Sequence, residues 1–133
     1  MEINEEELKK KVGIDAYRVL REKSTEPPFS GKYLQKSADG IYHCKVCDAP
    51  LFKTDSQEDG TKSSSVYPGW PSFNNVIPSA TVTSLDTSFG MTRTEISCAT
   101  CGSHLGHIFE DSETKTGKHY CINSVCLNLD PEK

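Results

Sequence analysis

Two Cys-X-X-Cys pairs, Cys44-Lys-Val-Cys47 and Cys98-Ala-Thr-Cys101, stand fifty residues apart in a chain of 133 residues. Each pair sets two thiolates at the tip of a tight turn, and two such turns facing each other supply tetrahedral sulfur for one Zn²⁺. The segments CKVCDAPL and CATCGSHL also form a weak internal repeat, with a small residue and then Leu at matching offsets. Asp48 and Gly102 follow the second cysteine of each pair, and both residue types tolerate the positive φ that a metal-wrapping turn often needs. A closed four-cysteine site leaves no open coordination position, so the zinc is expected to hold the fold and not to catalyse. The alternatives are redox dithiols or buried free thiols. A redox CxxC opens a helix in a βαβ setting, and neither pair has that context.

Cys121 and Cys126 remain, both within KHYCINSVCLNL (118–129). On a continuous strand Cys121, Asn123, Val125 and Leu127 share one face and Ile122 and Cys126 the other. Cys121, beside a polar Asn, is then the better nucleophile, although a free cysteine is often only a small buried hydrophobe. Five residues of strand separate the two thiols by ~16 Å. A disulfide needs Cα atoms within about 7 Å, so a one-cysteine chemistry is expected. His104, His107 and His119 lie near Cys121 in sequence, where imidazoles can lower a thiol pKa or relay protons. Each could equally be a hydrogen-bonded structural histidine. His43, adjacent to the first Cys pair, reads as a neighbour of the metal turn or simply as exposed. Trp70, the only tryptophan, sits between turn residues in PGWPSF (68–73), as a pocket wall or equally as a core anchor.

The elements that must position these groups are mostly strands. Asn4 followed by Glu7 is a capping-box spacing, with Leu8 and Val12 on one helical face. Gly13 can end that helix, and Asp15 can cap a second one carrying Ala16, Val19 and Leu20. EPPFSGKY (26–33) cannot continue a helix. From Gly40 onward, GIYHC, ATVTSL, MTRTEIS, GHIFE and KHYCINSVCLNL alternate with turn residues in a period of two, which argues for antiparallel sheet. The polar stretch 54–65 reads as a surface loop. The expected architecture is mainly β, with short N-terminal helices and a structural zinc site. One domain over 1–133 is expected, with a helical segment over 1–30 and a β core over 40–129.

Composition bounds the rest. Lys plus Arg is 15 and Asp plus Glu 19, a formal net charge of −4. That balance offers no footprint for nucleic acid or an anionic membrane. No apolar run approaches the ~18 residues of a membrane span. The N-terminus is acidic, unlike a transit peptide, and lacks the apolar core of a signal peptide. A cytoplasmic protein is expected, with the nucleus a second compartment open to it, acting as a monomer. Hydrophobic residues are 35%; exchanging Tyr for Gly in that count gives roughly 38%, against about 45–50% in a typical domain. So thin a core is often stapled, and without a secretory signal the six cysteines favour metal or chemistry over disulfides.

Taken together, GWPSF (69–73), GMTRTE (90–95), SHLGHIF (103–109) and YCINS (120–124) resemble the zinc-bearing branch of the B-type methionine-R-sulfoxide reductase family, from about Tyr17 to Leu129. The resemblance implies two packed antiparallel sheets behind short helices. It implies Cys121 as the catalytic cysteine, Asn123 as a neighbour that helps position substrate, and His104 and His107 as the site histidines. Trp70 matches the residue that holds the substrate methyl group, and Asp111 an acidic member of the proton network. His119 stands where the family usually has Arg, which makes a positive charge there conditional on pH. Pro68 stands where members with a resolving cysteine often carry it.

The implied chemistry is nucleophilic. The Cys121 thiolate attacks the sulfoxide sulfur while a protonated group, for which histidine is well suited, gives its proton to the oxygen. Methionine leaves, and Cys121 remains as a sulfenic acid for a second thiol to reduce. Oxidised methionine in proteins is the implied substrate, and thioredoxin or a small thiol the reductant. The rival is a non-enzymatic zinc-ribbon module for interaction or chaperone-like work, which would need the four zinc cysteines but not Cys121, Asn123 or Trp70. A zinc hydrolase is disfavoured by the closed four-sulfur site.

Overall fold

The computed structural model describes residues 3–34, 38–59, 69–87, 90, 92–110 and 115–131. Asn4 caps α1 (Glu5–Val12), its Oδ1 accepting from the Glu7 N–H at 3.1 Å. Three glutamates in the first turn and three lysines in the last complement the helix dipole. Gly13, at φ +88°, closes α1 and also opens α2 (Ile14–Glu22). Asp15 is therefore not the cap its position suggests. The reversal needs a residue free to adopt positive φ, which hands the cap position to glycine and leaves Asp15 in the first turn. α2 buries Ala16, Val19 and Leu20.

Nine strands follow among the described residues: β1 (Gly40–Cys44), β2 (Pro50–Lys53), β3 (Gln57–Glu58), β4 (Ser72–Phe73), β5 (Thr81–Asp86), β6 (Arg93–Cys98), β7 (His104–Glu110), β8 (Lys118–Ile122) and β9 (Leu127–Pro131). They form a three-stranded sheet, β2-β1-β9, and a six-stranded sheet, β3-β4-β8-β7-β6-β5. Every pairing is antiparallel. Mainly β with two antiparallel sheets and short N-terminal helices is what the alternation pattern requires. The first part of the polar stretch 54–65 is not a loop, since Thr54–Ser56 forms a 3₁₀ turn and β3 pairs with β4; residues 60–65 lie outside the described residues. No helix among the described residues is long and apolar enough to cross a membrane.

Period-2 alternation gives the large sheet two faces of different character. On one, Phe73, Tyr120, Ile122 and Ile96 are buried and meet the small sheet. Phe52 of β2 stacks on Phe73 at 4.4 Å between centroids, and Tyr42 of β1 meets Phe73 edge-on at 5.3 Å. The opposite face carries the polar side chains of the site.

Residues 118–129 are not one strand. After β8 the chain makes a 3₁₀ turn, Ser124–Cys126, and enters β9 in the other sheet. Asn123 fixes the crossover, its backbone N–H and its Nδ2 both donating to Leu105 O at 3.0 Å. The face assignments for Val125, Cys126 and Leu127, and the ~16 Å strand separation of Cys121 from Cys126, therefore lapse.

Candidate functional site

The four sulfurs of Cys44, Cys47, Cys98 and Cys101 lie within 4.8 Å of one another, with Cys44–Cys101 at 3.7 Å and Cys47–Cys98 at 3.6 Å. Sulfurs held ~2.3 Å from a tetrahedral ion stand about 3.8 Å apart, so this donor set fits one four-coordinate thiolate metal. The two turns are built alike. Asp48 N–H donates to Cys44 O and Gly102 N–H to Cys98 O, both at 2.8 Å. Asp48 and Gly102 sit at φ +65° and +76°. Cys44 ends β1 in the small sheet and Cys98 ends β6 in the large one, so a metal here would join the two sheets. His43 faces the turn, its Nδ1 2.8 Å from Asp48 O.

On the polar face of the large sheet, register aligns one row of residues: Ser72 opposite Cys121, Cys121 opposite His107, His107 opposite Glu95. Directly opposed residues project to the same side. His104 and His107 are three apart and on a regular strand would point to opposite faces. The register shift between Ile96 and Ser97 adds one residue to β7 and turns His104 to the side of His107, with ring centroids 5.5 Å apart. Gly106 lies between them because β7 and β8 meet too closely for any side chain. A Cβ there would overlap Cys121 O and stand 3.0 Å from Ile122 Cα.

A cavity of about 70 Å³ opens on this face, lined by Cys121, Trp70, His107, Asn123, Arg93 and Phe109, with Thr25 at its edge. The Trp70 indole N–H donates to Glu26 O at 2.9 Å, which fixes the plane of the ring. Asn123 is almost wholly committed to the frame, its Oδ1 accepting from Glu26 N–H at 3.0 Å and its Nδ2 donating to Leu105 O. His104 and His119 are buried and do not line the cavity. His119 Nε2 lies 3.0 Å from Ser72 Oγ. Asp111 and Pro68 fall outside the described residues.

Two carboxylate–histidine pairs stand behind the cavity. His107 Nε2 is 2.8 Å from Asp86 Oδ2, and Arg93 donates to the same oxygen at 3.2 Å. His104 Nδ1 is 3.2 Å from Glu95 Oε1, and Lys23 Nζ lies 3.3 Å from Glu95 Oε2. Burial pushes Glu95 upward, but its bonds to His104 and Lys23 outweigh this and hold the carboxyl below its ordinary range. Burial holds His104 below the usual imidazole range against the pull of Glu95. A neutral His104 then donates from Nδ1 to Glu95, and its buried Nε2 has no hydrogen-bond partner among the described residues.

The Cys121 thiol is pushed up to about 12, first by burial and then by the Glu26 carboxylate. Glu26 is itself buried and raised, with Oε1 accepting from Val125 N–H at 3.0 Å. Cys126 is fully buried, its Sγ donating to His104 O at 3.3 Å, and its thiol is raised by burial. Sequence reasoning did not single out Glu26, Asp86, Arg93 or Glu95. Arg93 and Glu95 lie inside GMTRTE, where alternation alone puts both on one face. Nothing local marks Glu26 or Asp86, whose partners are 97 and 21 positions away.

The SelR domain family matches residues 13–131. Curated relatives include a protein of Pseudomonas entomophila (strain L48), "Peptide methionine sulfoxide reductase MsrB", 51% identical over 86% of this chain and 84% of that one. Another of the same name, from Methanosarcina barkeri (strain Fusaro / DSM 804), is 48% identical over 100% of this chain and 90% of its own length. A third, from Pseudomonas putida (strain GB-1), is 50% identical over 88% and 86%.

Proposed function

This chain belongs to the SelR-domain family of peptide methionine sulfoxide reductases of the MsrB type, and on that premise we propose that Cys121 is the nucleophile with which it works. It is a thiol-dependent oxidoreductase that reduces methionine R-sulfoxide to methionine. The non-enzymatic zinc-ribbon reading is set aside by that membership.

One observation carries the assignment of roles: a single small cavity holds a half-buried thiol, an indole fixed by its own N–H, and an imidazole backed by a carboxylate. Oxidised methionine presents an apolar methyl and a polar sulfinyl group to such a pocket. Trp70 takes the methyl. Cys121 Sγ attacks the sulfinyl sulfur, and His107, oriented by Asp86, gives a proton to the oxygen. With its thiol pushed up to about 12, Cys121 rests protonated and, as the sulfoxide is engaged, passes its proton to His107, which replaces the one His107 gives to the sulfinyl oxygen. Methionine leaves, and the oxygen stays on Cys121 as a sulfenic acid. Asn123 holds the turn after Cys121, His104 packs against His107, and His119 holds Ser72. His104, Asn123 and His119 act as positioning residues, and the resemblance to the family gives Asp111 the acidic place in the proton network.

Cys44, Cys47, Cys98 and Cys101 would hold one zinc ion, whose chemistry is to clamp four thiolates and so stabilise the fold. Two thiols of thioredoxin or of a small molecule reduce the sulfenic acid, releasing water and restoring Cys121. Burial of Cys126 and its bond to His104 O support a one-cysteine route. Residues 1–133 act as one monomeric domain on oxidised protein in the cytoplasm.

Turnover of separated epimers tests this reading. Wild-type protein should reduce the R epimer and leave the S epimer, whereas Cys121→Ser should reduce neither while keeping its melting temperature and metal content. Appreciable turnover by the variant would remove Cys121 from its role.

A further inference from the structure

Beside the reaction cavity lies a larger hollow of about 490 Å³. α2 supplies Asp15 and Arg18 to one side of it, Ser24, Thr25 and Glu26 form the other, and Val125 closes it behind the Cys121 turn. The two spaces are neighbours, since Thr25 lines both. Glu26 lines the hollow and ties it to the reaction cavity: its carbonyl holds the Trp70 indole, its N–H holds Asn123, and its carboxyl holds Val125 N–H.

Volumes separate their roles. At about 70 Å³ the reaction cavity is far below the ~300–1,000 Å³ that encloses a whole ligand. It takes the methylsulfinyl end and leaves the rest of the substrate outside. The hollow is within that range, several times too large for the backbone atoms of one amino acid. Its rim carries opposite charges on one helix face, since Asp15 and Arg18 are three apart. Both are exposed, and neither has an ion-pair partner among the described residues.

We propose that this hollow binds the polypeptide flanking the oxidised methionine on one side, as an extended stretch of a few residues. An acidic side chain or a carbonyl of that stretch meets Arg18, and a peptide N–H meets Asp15. The inference rests on the reductase reading and adds where a protein-bound substrate is recognised. Binding energy gathered there, remote from the reacting sulfur, raises the rate on a polypeptide above that on a truncated substrate.

The test compares three substrates with dithiothreitol as reductant: N-acetyl methionine R-sulfoxide amide, and two seven-residue peptides carrying one methionine R-sulfoxide between glutamates or between lysines. Wild-type protein should show kcat/KM about tenfold or more higher on the glutamate peptide than on the single residue. Arg18→Glu should lose most of that advantage and regain part of it with the lysine peptide, while changing less than about twofold on the single residue. Ser24→Trp, which fills the hollow, should lose the advantage of the glutamate peptide over the single residue. A peptide advantage that survives both variants overturns the inference, as does an equal loss on the single residue. A defect seen only when thioredoxin replaces dithiothreitol assigns the hollow to the reductant and also overturns it. Wild-type protein that reduces none of the three overturns the reductase reading itself, and the inference with it.

Discussion

As the proposed nucleophile, Cys121 faces two opposed demands. It must be shielded enough to enclose a sulfinyl group, yet shielding disfavours the thiolate that attacks. Burial and the Glu26 carboxylate push its thiol up to about 12, which favours the protonated thiol at rest. A negative charge on Glu26 opposes a second one on Cys121. Glu26→Gln keeps an acceptor for Val125 N–H and removes the charge. The midpoint of iodoacetamide alkylation of Cys121 should then move to lower pH. A midpoint unchanged or raised in that variant would show that burial alone sets the thiol.

At the level of elements, the site depends on the contact between β7 and β8. His107 and Cys121 are cross-strand partners, and the absent side chain at Gly106 allows the approach. Gly106→Ala would thrust a methyl group into Cys121 O and Ile122 Cα. Parting two central strands of a packed sheet should cost about 1–3 kcal/mol or more. It should also displace the backbone that carries the thiol. Chemical denaturation and steady-state rates together check this: both stability and kcat should fall. A Gly106→Ala protein with native stability and native rate would show that the strands have slack. The register shift beside Gly106 matters equally, because without it His104 would turn to the core face, away from Glu95.

For the whole molecule, the four-sulfur cluster and the aromatic stack do the same work at different places between the sheets. Cys44 ends a strand of one sheet and Cys98 a strand of the other, while Phe52, Phe73 and Tyr42 interdigitate between them. With so low an apolar fraction, a metal held by these four sulfurs would be part of the folding free energy. Cys44→Ser should lose stoichiometric zinc by elemental analysis and melt well below wild type, at a cost of several kcal/mol. A chelator strong enough to strip zinc should have a similar effect on wild-type protein. Retention of one zinc with an unchanged melting curve would remove the cluster from its structural role.

The amino-acid sequence alone determined whatever a few adjacent residues decide between them. Cys-X-X-Cys spacing makes a turn with two thiols, Asn4 and Glu7 start a helix, and alternation in GIYHC or MTRTEIS makes a half-buried strand, because each rests on local geometry. PLFK (50–53) escaped notice because it is short and begins with a proline tolerated only at a strand's first position on a sheet edge. Only the tertiary structure decided that 118–129 breaks between two sheets, since a period of two is the same on either side of Asn123 and the break is held by Leu105 and Glu26. It also decided which histidine reaches the cavity. His104 and His107 are equivalent as residues, and a bulge and a register with β8 leave one lining the pocket and the other buried on Glu95. Glu26 and Asp86 join the site through partners far along the chain. Register and burial are sums over such distant contacts, and no short window of sequence contains them.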